Sequence, residues 1–254
     1  MIVPLLAGGL GNNMFQIATA YAVAKENGTE MCINYKAHAA PCFFHPERYR
    51  DNIFKNIKST DVSFEEVYCE PTFTYTKIPP IDDICIHGCF QSIKYFKKYE
   101  KEIKNLFYFP KEVRKKVDTQ IKNIKDEIII NHVRRGDYTH TNYHRCTPEG
   151  YFIRAQDIIK GEESKPTTNL LITDDIALIR NQFKDNYVHI EGNNEIEDLY
   201  LLTRGKYFIG SNSTFSWWGA FLGDYKYKIF PKMWFGDPSA PDPVDIFNDD
   251  FICI

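Results

Sequence analysis

The sequence predicts an α/β protein built on parallel sheets with helices on both faces, and three stretches carry that expectation. Residues 169–230 alternate strand and helix, with strands at 169–173, 187–190, 207–210 and 226–230 and helices at 175–183, 195–203 and 214–222. The N-terminus runs from a short apolar strand through a glycine turn into a helix, as a doubly wound domain begins. Between these lies IIINHVRRGDY at 128–138, an apolar run that stops at His132 and empties two arginines and an aspartate into a loop. Open α/β sheets bind their ligands at such strand exits.

In chain order, residues 2–6 read as a buried strand and residues 7–13 (AGGLGNN) as a turn. A helix follows over 14–26, with Phe15, Ala18, Tyr21 and Ala22 at helical spacing, and Asn27-Gly28 stops it. A strand is expected at 31–35. From 36 to 80, prolines at 41, 46, 71, 79 and 80 among many aromatics predict irregular structure folded over the first sheet. Residues 84–90 read as a strand and 91–107 as a helix whose lysines and glutamates make a solvated face. A charged helix over 111–125 marks the domain boundary, giving lobes 1–125 and 126–254. Thr147-Pro148-Glu149 opens a further helix, with Thr147 as cap and Pro148 at the first helical position.

With 254 residues, 43% of them hydrophobic, the chain can bury a sizeable core. A formal net charge of -3 offers no global attraction to nucleic acid, so any basic site must be local. Seven irregularly spaced cysteines (32, 42, 69, 85, 89, 146 and 253) form neither a disulfide framework nor a zinc pair and read as reduced, mostly core, thiols. No run is long enough for a membrane span, and the start of the chain does not read as a signal peptide, which makes a cytoplasmic enzyme the expectation.

Arg134 and Arg135 are planar forks suited to phosphate or carboxylate oxygens, so an anionic ligand, a pyrophosphate, is expected beside them. The alternative is a surface ion pair between Arg135 and Asp137. The Arg135-Gly136-Asp137 triplet follows a core strand too directly to be an adhesion loop. The turn at Gly9, Gly11 and Asn12 lacks the third glycine of a dinucleotide fingerprint, because Met14 stands there, so a nicotinamide oxidoreductase is disfavoured. What remains is a backbone that approaches an anion or sugar at a helix N-terminus, or a turn needed only for folding.

Ser211, Asn212, Ser213, Thr214 and Phe215 follow a strand and open a helix, the position of a phosphate cradle or of an ordinary cap. Trp217 and Trp218 read as core or cleft wall. Asp174 ends a strand and could bind a metal or nucleotide or cap the next helix. Glu197-Asp198 could accept two N–H donors from a guanine edge or merely complement a helix dipole.

Together GGLGNNMFQ (8–16), GCFQSIKYF (88–96), HVRRGDY (132–138), ITDD (172–175) and SNSTFSWWGAFL (211–222) resemble the α-1,2-fucosyltransferase family in order and approximate spacing. Asn13 and Ile93 depart from its pattern, where glutamine and glutamate are common, and the middle of the chain is short. The resemblance implies a GT-B fold of two facing Rossmann-like lobes, the first on the acceptor side and the second binding GDP-fucose. It implies inverting transfer of L-fucose to a galactoside hydroxyl without a metal or other cofactor.

By the same resemblance Arg134 and Arg135 hold the pyrophosphate with Ser213 and Thr214, Asp198 reads guanine, and Gly9 to Asn12 line the donor sugar. Asp137 and His132 are candidates for the general base. The implied partners are GDP-fucose and a galactose-containing glycan, and the implied place of action is the cytoplasmic side, at most peripheral to the inner membrane. A fucosyltransferase of another linkage and a non-catalytic nucleotide-sugar-binding protein are the alternatives.

Overall fold

The computed structural model describes residues 1–39, 45–183 and 187–254, so Pro41 and Cys42 lie outside the described residues. Two compact units divide the chain: Met1–Pro110 with Pro241–Asn248, and Lys111–Ala240 with Asp249–Ile254.

In the first unit β1 (Ile2–Pro4), β2 (Val67–Cys69) and β3 (Ile84–His87) pair in parallel in the order β1-β3-β2. The strand expected at 31–35 is reduced to single parallel bridges from Met31 to Ile2 and from Ile33 to Ser59. The extended run breaks because the Asn34 side chain accepts the N–H of Lys36 (2.9 Å) and folds the backbone into a turn. β2 escaped the sequence reading: it is three residues long, with two exposed side chains, so no apolar alternation marks it.

The helix α1 (Leu10–Glu26) begins at Leu10 and not at residue 14, with Gly9 as its N-cap. Burial almost all round it, with Ala18, Ala20, Ala22 and Ala24 allowing close approach, leaves little amphipathic signal to locate its start. The helix expected over 91–107 splits into short 3-10 turns at Ile93–Tyr95 and Lys97–Tyr99 before α2 (Glu100–Leu106). Ser92 caps the first turn, and Phe96, buried, breaks the spiral with φ -137° and ψ 10°, outside the helical region. Residues 241–248 join this unit because Asp245 pairs with Lys94 and accepts the Tyr75 N–H (2.6 Å), while Ile246 is buried.

The second unit is a six-stranded parallel sheet ordered β6-β5-β4-β7-β8-β9. Its strands are β4 (Glu127–Val133), β5 (Thr167–Thr173), β6 (Val188–His189), β7 (Tyr207–Ile209), β8 (Tyr227–Phe230) and β9 (Phe251–Cys253). β4 enters in the middle, the chain works outward to β6, and then returns to β4's other side as β7. The order therefore reverses between β4 and β7, and that topological switch leaves a crevice at the strands' carboxyl ends. The helices α3 (Lys111–Ile121), α4 (Glu149–Glu162), α5 (Ile176–Gln182), α6 (Glu195–Leu201) and α7 (Thr214–Leu222) complete it. α3, at which the sequence placed the lobe boundary, packs on α6 and belongs to this unit.

β4 runs on through His132 to Val133, past the point where the apolar run ends. Its buried polar residues are paired, Asn131 accepting from Gln156 Nε2 (3.0 Å) and donating to Asn169 Oδ1 (3.3 Å), so the interior tolerates them. Trp217 and Trp218 are both core, since α7 is buried on every face from Ser216 to Phe221. Thr147 does not cap α4; Pro148 is its N-cap, and the Thr147 hydroxyl donates to Asn212 Oδ1 (2.9 Å). The six described cysteines are free, but only Cys32 and Cys85 are buried, while Cys69 and Cys89 are exposed. No helix among the described residues is long and apolar enough to cross a membrane.

Candidate active site

Arg134 leaves β4 at the switch point with both ends of its guanidinium engaged. One end pairs with Asp174 Oδ2 (2.6 Å) and the other with Asp137 Oδ1. The ion pair that was the alternative for Arg135 and Asp137 is made by Arg134. Arg135 turns inward instead, only 3% exposed, where Nε and Nη2 donate to Gln182 Oε1 (3.2 Å each) and Nη1 to the Arg134 carbonyl (2.9 Å). Successive side chains leaving a strand point to opposite faces, so two adjacent arginines meet different surroundings. Arg134 is the guanidinium that borders the crevice.

Asp174 accepts the Arg135 N–H on Oδ1 (2.8 Å) while holding Arg134 on Oδ2, and the cap of α5 is its neighbour Asp175, which accepts the Leu178 N–H (3.0 Å). Gly136 makes the close approach possible: its φ is +34°, and a Cβ there would run into the Asp174 carboxylate.

Ser211 and Asn212 are struts. The Ser211 hydroxyl, fully buried, accepts the Arg134 N–H (2.9 Å) and donates to the His132 carbonyl (2.6 Å). The Asn212 amide accepts from Thr147 and donates to the Arg145 and Trp234 carbonyls. Ser213 is the N-cap of α7, accepting the Phe215 N–H (3.3 Å). Thr214 and Phe215, partly exposed, are the residues that α7 offers at its N-terminus. A helix N-terminus with unpaired N–H groups favours an anion.

His132 lies in β4 and is 4% exposed, with Nδ1 2.5 Å from Ser216 Oγ and its ring against Phe215. Burial, aided by the Arg134 charge, pushes its pKa down to about 3, so the imidazole is neutral near pH 7.

On the β5/β6 side a pocket of about 210 Å³ is walled by the end of β5, by Asp174 and Ile176, by residues 190–193 and by Asp198. Glu197 and Asp198 divide the two readings of that pair between them. Glu197 closes a capping box with Asn194 and pairs with Lys116 (2.6 Å). Asp198 lines the pocket, and burial raises its carboxyl pKa to about 6, partly offset by the Asn193 amide. Gln120 Nε2 donates to Asn193 Oδ1 (2.9 Å), and Lys116 donates to the Gly192 carbonyl (2.8 Å), so α3 buttresses this wall. Asp174 belongs both to the pocket and to the Arg134 cluster, and thereby joins them.

Residues 4–253 match glycosyl transferase family 11. The chain belongs to that family. The family 11 chain is 30% identical to the alpha-1,2-colitosyltransferase of Escherichia coli, over 92% of each chain. It is 25% identical to the galactoside 2-alpha-L-fucosyltransferase SEC1 of Bos taurus, over 85% of this chain and 62% of that one. Among solved structures it is similar to the Bradyrhizobium alpha-1,6-fucosyltransferase NodZ co-crystallized with GDP, with a TM-score of 0.56 at 15% identity, covering 87% of this chain and 92% of that one. The likeness in fold is to an α/β protein of the GT-B type.

Gly9, Gly11 and Asn12 lie in the first unit of this family 11 glycosyltransferase, at the carboxyl edge of its sheet. Gly9 caps α1, Gly11 is buried in its first turn, and Asn12 accepts from Gln91 Nε2 (3.1 Å). Gln182, Gly136 and Asn193 escaped the sequence reading. Only Gly136, directly behind the arginines, had a local signal.

Proposed function

We propose that the chain transfers L-fucose from GDP-β-L-fucose to a galactoside hydroxyl, in α-1,2 linkage with inversion. What carries the proposal is one arrangement: a pocket ending in an acidic side chain, joined through Asp174 to a guanidinium at the β4/β7 switch point beside a helix N-terminus. That sequence of surfaces suits a nucleoside diphosphate. Asp198 would accept the N1–H and amino N–H of guanine, and the diphosphate would lie between Arg134 and the start of α7 at Ser213 and Thr214.

As the bond from C1 to the β-phosphate oxygen breaks, its electron pair leaves with GDP and negative charge grows there. Arg134 and the α7 N–H groups are preorganised to meet it. Arg135 would take the part of a buried scaffold for the loop, and Ser211 and Asn212 that of struts beneath Thr214. In the free enzyme Asp137 occupies one end of the Arg134 fork. When the diphosphate takes that place, Asp137 is released to receive the proton of the acceptor hydroxyl as the new bond to C1 forms from the opposite face. With its pKa near 3, His132 is a poor base, and it would instead brace the strand exit through Ser216.

Since fixed cations and dipoles can carry the leaving charge, transfer would proceed without a divalent ion, and added chelator should leave turnover unchanged. The test of the whole reading is GDP release from GDP-fucose over a panel of galactosides, with linkage analysis of the product. Absence of both GDP binding and transfer would defeat it. The relative named as an alpha-1,2-colitosyltransferase supports a second reading, in which the donor is GDP-colitose, whose sugar lacks the 3-hydroxyl of fucose. The ratio of kcat/KM for the two donors decides between them.

A further inference from the structure

At the carboxyl edge of the first unit's sheet lies a carboxylate that no sequence motif marked. Glu70 follows β2, half-buried, and among the described residues its partners are hydrogen-bond donors and not a cation. Its oxygens serve three donors: Oε2 accepts the N–H groups of Cys89 (2.7 Å) and Phe90 (2.9 Å), and Oε1 accepts the Tyr95 hydroxyl (3.0 Å). Burial raises its pKa and the three donors oppose that rise.

The turn on which Glu70 acts is strained. Phe90 holds φ at +49°, a left-handed conformation that a bulky side chain rarely adopts. Gly88 lies so close to the Glu70 side chain that a Cβ has no room. Phe90 is fully buried with Tyr95 edge-on against it, ring centroids 5.3 Å apart, so the backbone cannot relax by swinging that ring out.

The strain has a definite product. Gln91, next in the chain, is turned so that its Nε2 donates to Asn12 Oδ1 (3.1 Å). At the other end of the turn Gln16 Nε2 donates to the Gly88 carbonyl (3.0 Å) while Gln16 Oε1 accepts the Ala7 N–H (3.0 Å). Two amide side chains thus tie the strained turn to the glycine turn at Ala7–Asn12. Held in this way, Asn12 keeps its amide N–H groups as donors of the kind that bind sugar hydroxyls.

We infer that Glu70 is a positioning residue for glycosyl transfer: it clamps the 88–91 turn in its strained conformation so that Gln91 fixes the Asn12 amide as a donor for a sugar hydroxyl. The inference rests on the function proposed above, and it assigns Glu70 no contact with the reacting atoms. Glutamine can preserve the clamp, because one amide oxygen still accepts both backbone N–H groups and the amide nitrogen can donate to the Tyr95 oxygen.

The experiment compares Glu70→Ala and Glu70→Gln in steady-state transfer from GDP-fucose, in GDP binding by calorimetry and in urea unfolding. Glu70→Ala should lower kcat/KM for transfer at least tenfold with GDP affinity within twofold of wild type, measured where the variant is fully folded, and Glu70→Gln should restore most of the rate. A residue that only supports folding would lower stability and leave kcat/KM of the folded enzyme unchanged. Wild-type kinetics in Glu70→Ala, or a Glu70→Gln variant as slow as Glu70→Ala, would overturn the inference. A double variant Glu70→Ala/Gln91→Leu should be no slower than the slower single variant; additive losses would also overturn it. Failure of the functional reading is seen separately, as wild-type protein that neither binds GDP nor transfers sugar.

Discussion

The two units end their parallel sheets in edges of opposite chemical character. In the second unit the edge is ionic: Arg134 spans Asp137 and Asp174, and Asp198 lines a pocket nearby. In the first unit the edge carries neutral amides, Asn12, Gln16 and Gln91, and a carboxylate there, Glu70, is taken up by backbone N–H groups and a tyrosine. A diphosphate needs fixed charge that is strong in a sheltered crevice, whereas sugar hydroxyls need oriented neutral donors and acceptors. The contrast suits the second unit's edge to a diphosphate and the first unit's edge to neutral hydroxyls, although both edges have the same topological origin at the ends of parallel strands.

If that contrast is right, nucleotide affinity responds to substitutions in the second unit alone. Arg134→Ala should cost on the order of 3 kcal/mol or more in the transfer barrier, with lysine a poor substitute because it lacks the planar fork. Near-normal turnover of Arg134→Ala at saturating GDP-fucose would break the assignment. Asp198→Asn should weaken GDP-fucose binding by about tenfold to a hundredfold, the range for a hydrogen bond to a charged group.

The pH dependence sharpens the Asp198 assignment. Its pKa is raised from 3.8 to about 6, so the carboxylate of the proposed guanine contact is present above pH 6 and is lost as pH falls through it. Wild-type affinity for GDP-fucose should therefore drop by up to about tenfold per pH unit below 6, while the Asn variant stays flat. The esterified diphosphate of that ligand does not titrate in this range.

Ser211→Ala removes a fully buried hydroxyl that serves the Arg134 N–H and the His132 carbonyl and should cost about 1–3 kcal/mol in urea unfolding, whereas Thr214→Val should leave stability alone and weaken GDP binding. The reverse outcome would exchange their roles as strut and ligand. The smallest effect expected is of unusual sign. Asp137→Asn removes a carboxylate that competes for Arg134, so GDP should bind several-fold more tightly even as kcat falls. Weaker GDP binding would show that Asp137 holds Arg134 in place and does not compete with the diphosphate.

Several features of the fold were legible because they are local. The β/α alternation of the second unit shows in the spacing of apolar runs, and α7 spans residues 214–222 as read. β9 and β2 were missed because each has three residues and no burial pattern that separates it from a loop. Within the candidate site, the arginine pair was visible at once as a charged exit from an apolar strand. Which arginine faces the crevice was not visible, because that depends on Gln182, far along the chain, accepting from Arg135. The roles of Asp174 and Asp175 were likewise indistinguishable until the Arg135 N–H was seen to lie against Asp174.

Residue type and spacing alone determined that this protein has parallel sheets, a guanidinium at a strand exit and a run of hydroxyls at the start of a helix, since each is a property of a few neighbouring residues. The tertiary arrangement alone sorted the candidates into those that border the crevice and those consumed in building it. Hydroxyls at Ser211 and Thr214 are chemically alike, and so are the carboxylates of Glu197 and Asp198. Burial and the competition for hydrogen-bond partners brought together from distant parts of the chain make them different.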